Sequence, residues 1–101
     1  MSEAPITIRI DPMLAELVPK FLARCKQTVE EFRGAAQSGD LAAARRIGHA
    51  LYGTASSFGF DEMAGIGREI ERAAREGDAE ALKQLAERLS AHVARVRPVF
   101  D

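Results

Sequence analysis

Apolar residues recur at Leu14, Leu17, Val18, Phe21, Leu22, Cys25, Val29 and Phe32, in the steps of three and four that place side chains on one face of an α-helix. Asp11 before Pro12 supplies an N-cap acceptor followed by a proline whose missing N–H has no partner to lose, so a helix start is predicted there. Pro19 then interrupts the run, because its ring crowds the preceding turn and draws Val18 away from helical geometry. A short helix followed by a long one is the expectation.

Three further stripes follow. Leu41, Ala44, Gly48, Leu51, Ala55 and Phe58 form one, Met63, Ile66, Ile70 and Ala73 a second, and Leu82, Leu85, Leu89, Val93 and Val96 a third. The breaks between them carry their own chemistry. Gly39-Asp40 and Gly77-Asp78 each pair a glycine suited to a left-handed helix end with an aspartate suited to cap the next helix, and Gly59 and Asp61 mark a third break. Helices are therefore predicted at residues 20–37, 41–58, 62–76 and 79–97. Connections this short favour antiparallel neighbours, so the predicted fold is all-α, an up-and-down antiparallel four-helix bundle. Pro5-Ile6-Thr7-Ile8-Arg9-Ile10 alternates apolar and polar side chains, but one short strand without a partner is not stable. Residues 1–10 are expected to form an extended arm on a bundle of residues 11–101.

At 101 residues the chain is expected to be one domain with one core. A 47% hydrophobic composition argues against disorder, and the net charge of −1 provides no basic field for nucleic acid. The single cysteine, Cys25, cannot form an internal disulfide, and it falls on an apolar face as a small core residue. No apolar run approaches membrane-spanning length. The opening MSEAPITIRI has neither the basic nor the apolar segment of a leader, so no membrane association and a cytoplasmic location are expected.

The stretch IGHALYGTASSFGF departs from an ordinary amphipathic helix. His49 follows the seam residue Gly48 and is expected at the edge of the buried stripe, reaching solvent. Arg45, Arg46, Tyr52, Gly53 and Ser56 lie three, four or seven positions away and share its surface. Helical side chains lean toward the N-terminus, so a side chain at position 53 would partly cover the imidazole, and glycine leaves it open. Each glycine inside a helix costs about 1 kcal/mol relative to alanine. Gly48 and Gly53 thus break a local rule twice, a pattern that marks function. The chemistry that fits is nucleophilic attack by neutral imidazole, since histidine ordinarily titrates near about 6.5.

His49-Ala50-Leu51-Tyr52-Gly53-Thr54-Ala55, followed by Phe58-Gly59, resembles the histidine-containing phosphotransfer (HPt) domain. That family's pattern is His-x-Leu-Lys-Gly-Ser/Thr-Ser/Ala, then an apolar residue and glycine. The resemblance extends over most of the chain, because the family is a four-helix bundle with its phosphoacceptor midway along the second helix. It implies that His49 exchanges a phosphoryl group with the aspartate of a receiver domain, attacking through Nε2. It also implies a phosphocarrier without ATP-dependent kinase activity, needing no cofactor of its own because the receiver supplies Mg²⁺. Response-regulator receivers are the expected partners, a hybrid sensor kinase is a further candidate, and a monomer is expected. No Walker-type loop is present, and Gly65-Ile66-Gly67 fails the dinucleotide pattern because Ile70 occupies the place of its third glycine.

One departure stands out. Tyr52 occupies the position where the family carries lysine, and Arg45, one turn before His49, is expected to supply the missing charge. His92, beside Leu89 and Val93, is expected to be partly buried and structural. A zinc site from Cys25, His49 and His92 lacks close ligand pairs. Arg68, Glu71, Arg72 and Arg75 read as a solvated face with Glu71 and Arg75 at pairing distance, and Gly65 and Gly67 as points of close helix approach. Two other function classes compete: an adaptor that binds a receiver or kinase through the same face without accepting phosphate, and a purely structural bundle that assembles through its seams.

Overall fold

The structure, a computed structural model, describes residues 4–101. Its elements in chain order are β1 (Ile6–Ile10), a single 3-10 turn (Pro12–Leu14), α1 (Val18–Ser38), α2 (Leu41–Phe58), α3 (Asp61–Glu76), α4 (Ala79–Arg95) and β2 (Val96–Phe100). Three glycines with left-handed backbone separate the helices, Gly39 at φ 74°, Gly59 at φ 87° and Gly77 at φ 70°. The next helix is capped at once by aspartate in two cases: the Ala43 amide donates to Asp40 Oδ1 at 3.0 Å and the Ala81 amide to Asp78 Oδ1 at 3.1 Å. At the third break the buried Phe60 is the N-cap residue, and Asp61 lies in the first turn of α3, where its charge complements the helix dipole.

These tight connections make an up-and-down bundle in which α1 packs on α2 and α4, and α3 on the same two helices. The predicted stripes meet in its core: Phe32, Met63, Ile66, Ile70, Leu82 and Leu89 are all buried. Phe21 of α1 stacks at a tilt on Phe58 and Phe60, with ring centroids 5.1 and 5.5 Å apart, and pins the α2–α3 turn to the first helix.

Three expectations are corrected at the ends of the chain. The Asp11-Pro12 signal does cap, with the Met13 amide donating to Asp11 Oδ1 at 2.9 Å, but it opens only a 3-10 turn. Pro19 does not displace Val18 from helical geometry. It sits in the first turn of α1, where a missing N–H removes no helical bond, and Val18 begins the helix.

The third correction concerns the arm. Its residues 1–3 lie outside the described residues, and Ile6–Ile10 is paired as β1, parallel to β2, from Ile6 opposite Val96 to Ile10 opposite Phe100. The first two residues of the partner strand, Val96 and Arg97, are those predicted to end the last helix. Pro98 disfavours helical geometry at Arg97, and Val96 turns extended at φ −69°, ψ 135°, so α4 ends at Arg95. Two short parallel strands are marginal alone, but Ile10 and Val96 are anchored in the core, and Arg9 clasps Asp101 at 3.0 Å.

Candidate functional site

The site begins with how closely α2 and α3 approach. A Cβ at Gly48 would stand 2.7 Å from the Gly67 carbonyl oxygen and 2.8 Å from the Glu71 amide nitrogen, and one at Gly67 would stand 2.8 Å from the Tyr52 amide nitrogen. Only glycine at both positions lets the two backbones come this near. Gly67 therefore has the close-packing role expected of it, but Gly65 does not. Nothing lies within 4 Å of where its Cβ would be, and it lines an open cleft instead.

That cleft, about 590 Å³ in volume, runs between α2 and α3 and is lined by His49, Tyr52, Gly65, Arg68, Glu69, Glu71, Arg72 and Arg75. His49 is one residue beyond Gly48, and its side chain is 76% exposed. Its Nδ1 lies 3.2 Å from Glu71 Oε2, and the same oxygen accepts a hydrogen bond from Arg75 Nη2 at 3.3 Å. A carboxylate can only accept, so the proton of neutral His49 is assigned to Nδ1, which leaves the lone pair on Nε2 free. Beside it, Arg68 donates from Nη1 to the Tyr52 hydroxyl at 2.8 Å, with its guanidinium carbon 4.6 Å from the centre of the Tyr52 ring.

Gly53 faces open space, where a Cβ would have no atom within 4 Å, and Ser56 is exposed further along α2. Arg45 is exposed and makes no hydrogen bond or ion pair among the described residues. Arg46, also exposed, borders a separate groove between α1 and α2, near Phe21, Ile47 and Phe58. The cleft thus unites His49 and Tyr52 with α3 side chains that the sequence reads as a solvated face. One signal pointed to Glu71. It follows the seam residue Ile70 as His49 follows Gly48, and paired small residues on the two helices announce a close approach.

The other titratable candidates are elsewhere. Cys25 is buried with its Sγ 3.7 Å from Met63 Sδ, and burial pushes its thiol pKa up to about 11, which keeps it from being a thiolate nucleophile. His92 is buried as well, and Glu62 Oε2 lies 3.6 Å from its Nδ1. Neither of its ring nitrogens has a hydrogen-bond partner among the described residues. Burial pushes its pKa below the usual histidine value; Glu62 opposes that shift, while Arg88 and Arg95 add to it. Among the described residues no three His, Cys, Asp or Glu side chains group to hold a metal ion, and no helix is long and apolar enough to cross a membrane.

A helical bundle that exposes one imidazole midway along its second helix, with a carboxylate behind it and arginines around it, has the architecture of a phosphotransfer module. The family model of the Hpt domain matches residues 16–98, and the chain belongs to that family. Hpt domains serve as phosphocarriers in phosphorelays, interact with receiver domains of response regulators, and have no kinase activity of their own. Neither a curated protein nor a solved structure matches the chain.

Proposed function

We propose that His49 is the phosphoacceptor of a phosphorelay carrier and exchanges its phosphoryl group with the aspartate of a receiver domain. The observation that supports this most directly is the His49–Glu71 contact of 3.2 Å at an imidazole that is otherwise open to the cleft. The Nε2 lone pair forms the new N–P bond while the acyl phosphate O–P bond breaks, and the aspartate carboxylate leaves with the bonding pair. The ring becomes cationic because Nδ1 keeps its proton, and the Glu71 carboxylate stabilises that charge as it develops. Transfer of this kind needs positioning and charge neutralisation more than covalent assistance. In this reading the divalent ion belongs to the receiver, and phosphoryl transfer between the receiver aspartate and His49 is reversible.

Gly53 and Gly65 keep the approach to Nε2 clear from either helix, and the adjoining surface with Arg45, Arg46 and Ser56 is where the receiver docks. A receiver carrying labelled phosphate tests the proposal. Wild-type protein is expected to drain the label and acquire an acid-labile, alkali-stable phosphate, and His49→Gln is not. Tight association with receivers but no label on His49 would replace the carrier with the adaptor.

A further inference from the structure

The arginines near His49 differ in what balances their charge. Arg75 is held by the Glu71 carboxylate, and the neighbouring Glu69 is engaged by Arg88 at 2.8 Å. Arg9 and Arg33, away from the cleft, are likewise bound to acids. Arg68 is ordered by a neutral group instead: its Nη1 donates to the Tyr52 hydroxyl at 2.8 Å, and its guanidinium lies over the Tyr52 ring at 4.6 Å. A phenol and a π face orient a guanidinium without cancelling its positive charge. No carboxylate bonds Arg68 among the described residues. It is an ordered cation lining the same cleft as His49, and the carboxylates there, Glu69 and Glu71, are engaged by Arg88 and Arg75 instead.

The space around it is consistent with an anion. Gly65, one turn before Arg68 on α3, lies on the side toward which helical side chains lean, and it leaves the region open. Tyr52 lies one turn after His49 on α2, so the tyrosine that holds the guanidinium and the histidine that carries the phosphoryl group are neighbours on one face.

We propose that Arg68 is the phosphoryl-binding cation of this site, held by Tyr52 and donating to the oxygens of the phosphoryl group on His49. This rests on the phosphocarrier function proposed above. Arg68 then touches the transferred group and is a catalytic residue, whereas Tyr52 acts through it and is a positioning residue. As the N–P bond forms at Nε2, the three non-bridging oxygens enter reach of a guanidinium whose donor fork suits them. Tyr52, which occupies the family's lysine position, moves the source of charge from α2 to α3.

Phosphoramidate is the probe, because its P–N bond breaks as ammonia leaves and no receiver is required. Labelling is followed by intact mass and by ³¹P NMR, alongside transfer from a phosphorylated receiver. Arg68→Gln, which keeps much of the side-chain stem, is expected to slow phosphorylation of His49 by about tenfold, equivalent to about 1.4 kcal/mol in the barrier. Tyr52→Phe is expected to slow it by about two- to threefold, and that effect should vanish in the Arg68→Gln background because the two act as a unit. Adding Tyr52→Lys to Arg68→Gln should recover most of the lost rate by returning a cation to the cleft. Wild-type rates in Arg68→Gln would overturn the proposal while leaving the phosphocarrier intact, and so would a loss confined to Arg45→Ala. Wild-type protein that takes no label from either donor would remove both.

Discussion

The two histidines of this protein have the same nearest chemistry and opposite fates. Each directs Nδ1 toward a glutamate of α3, His49 at 3.2 Å from Glu71 and His92 at 3.6 Å from Glu62. The His49 side chain is 76% exposed and its partner only 18%, so a shielded carboxylate orients a ring that solvent and ligands can reach. The His92 side chain is 3% exposed and its glutamate 57%, so the ring is deprived of water while its carboxylate remains in it. In the proposed function, what separates the phosphoacceptor His49 from His92 is which of the two partners is buried, not whether an acid is nearby.

Exchanging or removing these environments gives a graded set of outcomes. The largest is expected for His49→Gln, which should abolish phosphorylation from any donor, whereas His92→Leu should retain it; radiolabel transfer with intact mass detection reads both. Next is Gly48→Ala, whose new methyl would meet backbone atoms of α3. Overpacking of this kind costs about 1–3 kcal/mol. Chemical denaturation should show that loss together with weakened His49–Glu71 coupling.

Glu71→Ala does not overpack the helix contact; it removes the acceptor for His49 Nδ1 and releases Arg75. A hydrogen bond to a charged group contributes about 1.5–3 kcal/mol. The exposure of His49 places the expected loss at the low end, about tenfold in transfer rate. Single-turnover kinetics with a phosphorylated receiver measures it.

For His92 the expected change is in stability. Its pKa is lowered in the folded state, so the unfolded chain binds more protons between the lowered and the ordinary value. Folding stability is therefore fully present above the ordinary pKa of about 6.5 and declines as pH falls through it. His92→Leu should raise stability at neutral pH by about 1 kcal/mol, by removing an unsatisfied buried polar group. It should also flatten the fall in melting temperature on acidification, and thermal melts across pH 5 to 8, about the range in which histidine titrates, test both effects. The smallest effect is expected for Gly53→Ala, where no atom obstructs a methyl. Helix propensity should add up to about 1 kcal/mol of stability, while partial cover over His49 slows transfer about twofold or more. Equal rates before and after this change would show that the glycine is not needed for access.

Much of this architecture was legible from local chemistry. The Gly39-Asp40 and Gly77-Asp78 breaks located helix ends because each residue acts within its own turn, one adopting a left-handed backbone and the other accepting an amide. The apolar stripes predicted the buried faces, and the small-residue stretch around His49 directed attention to an accessible imidazole. The strand pair was not legible. β1 and β2 lie at opposite ends of the chain, and Val96 and Arg97 read as the last residues of a helix until a partner strand is present.

The same limit applies within the site. Periodicity along one helix determined that His49 stands at the edge of a seam, and that His92 belongs beside the core. Only the packing of α2 against α3 decided that Glu71 would hold the ring and that Arg68 would lie across Tyr52. One-dimensional spacing specifies which face a side chain occupies. Which residue meets it there depends on the separation and register of two helices, and in this protein those are set by a contact between two glycines, Gly48 and Gly67.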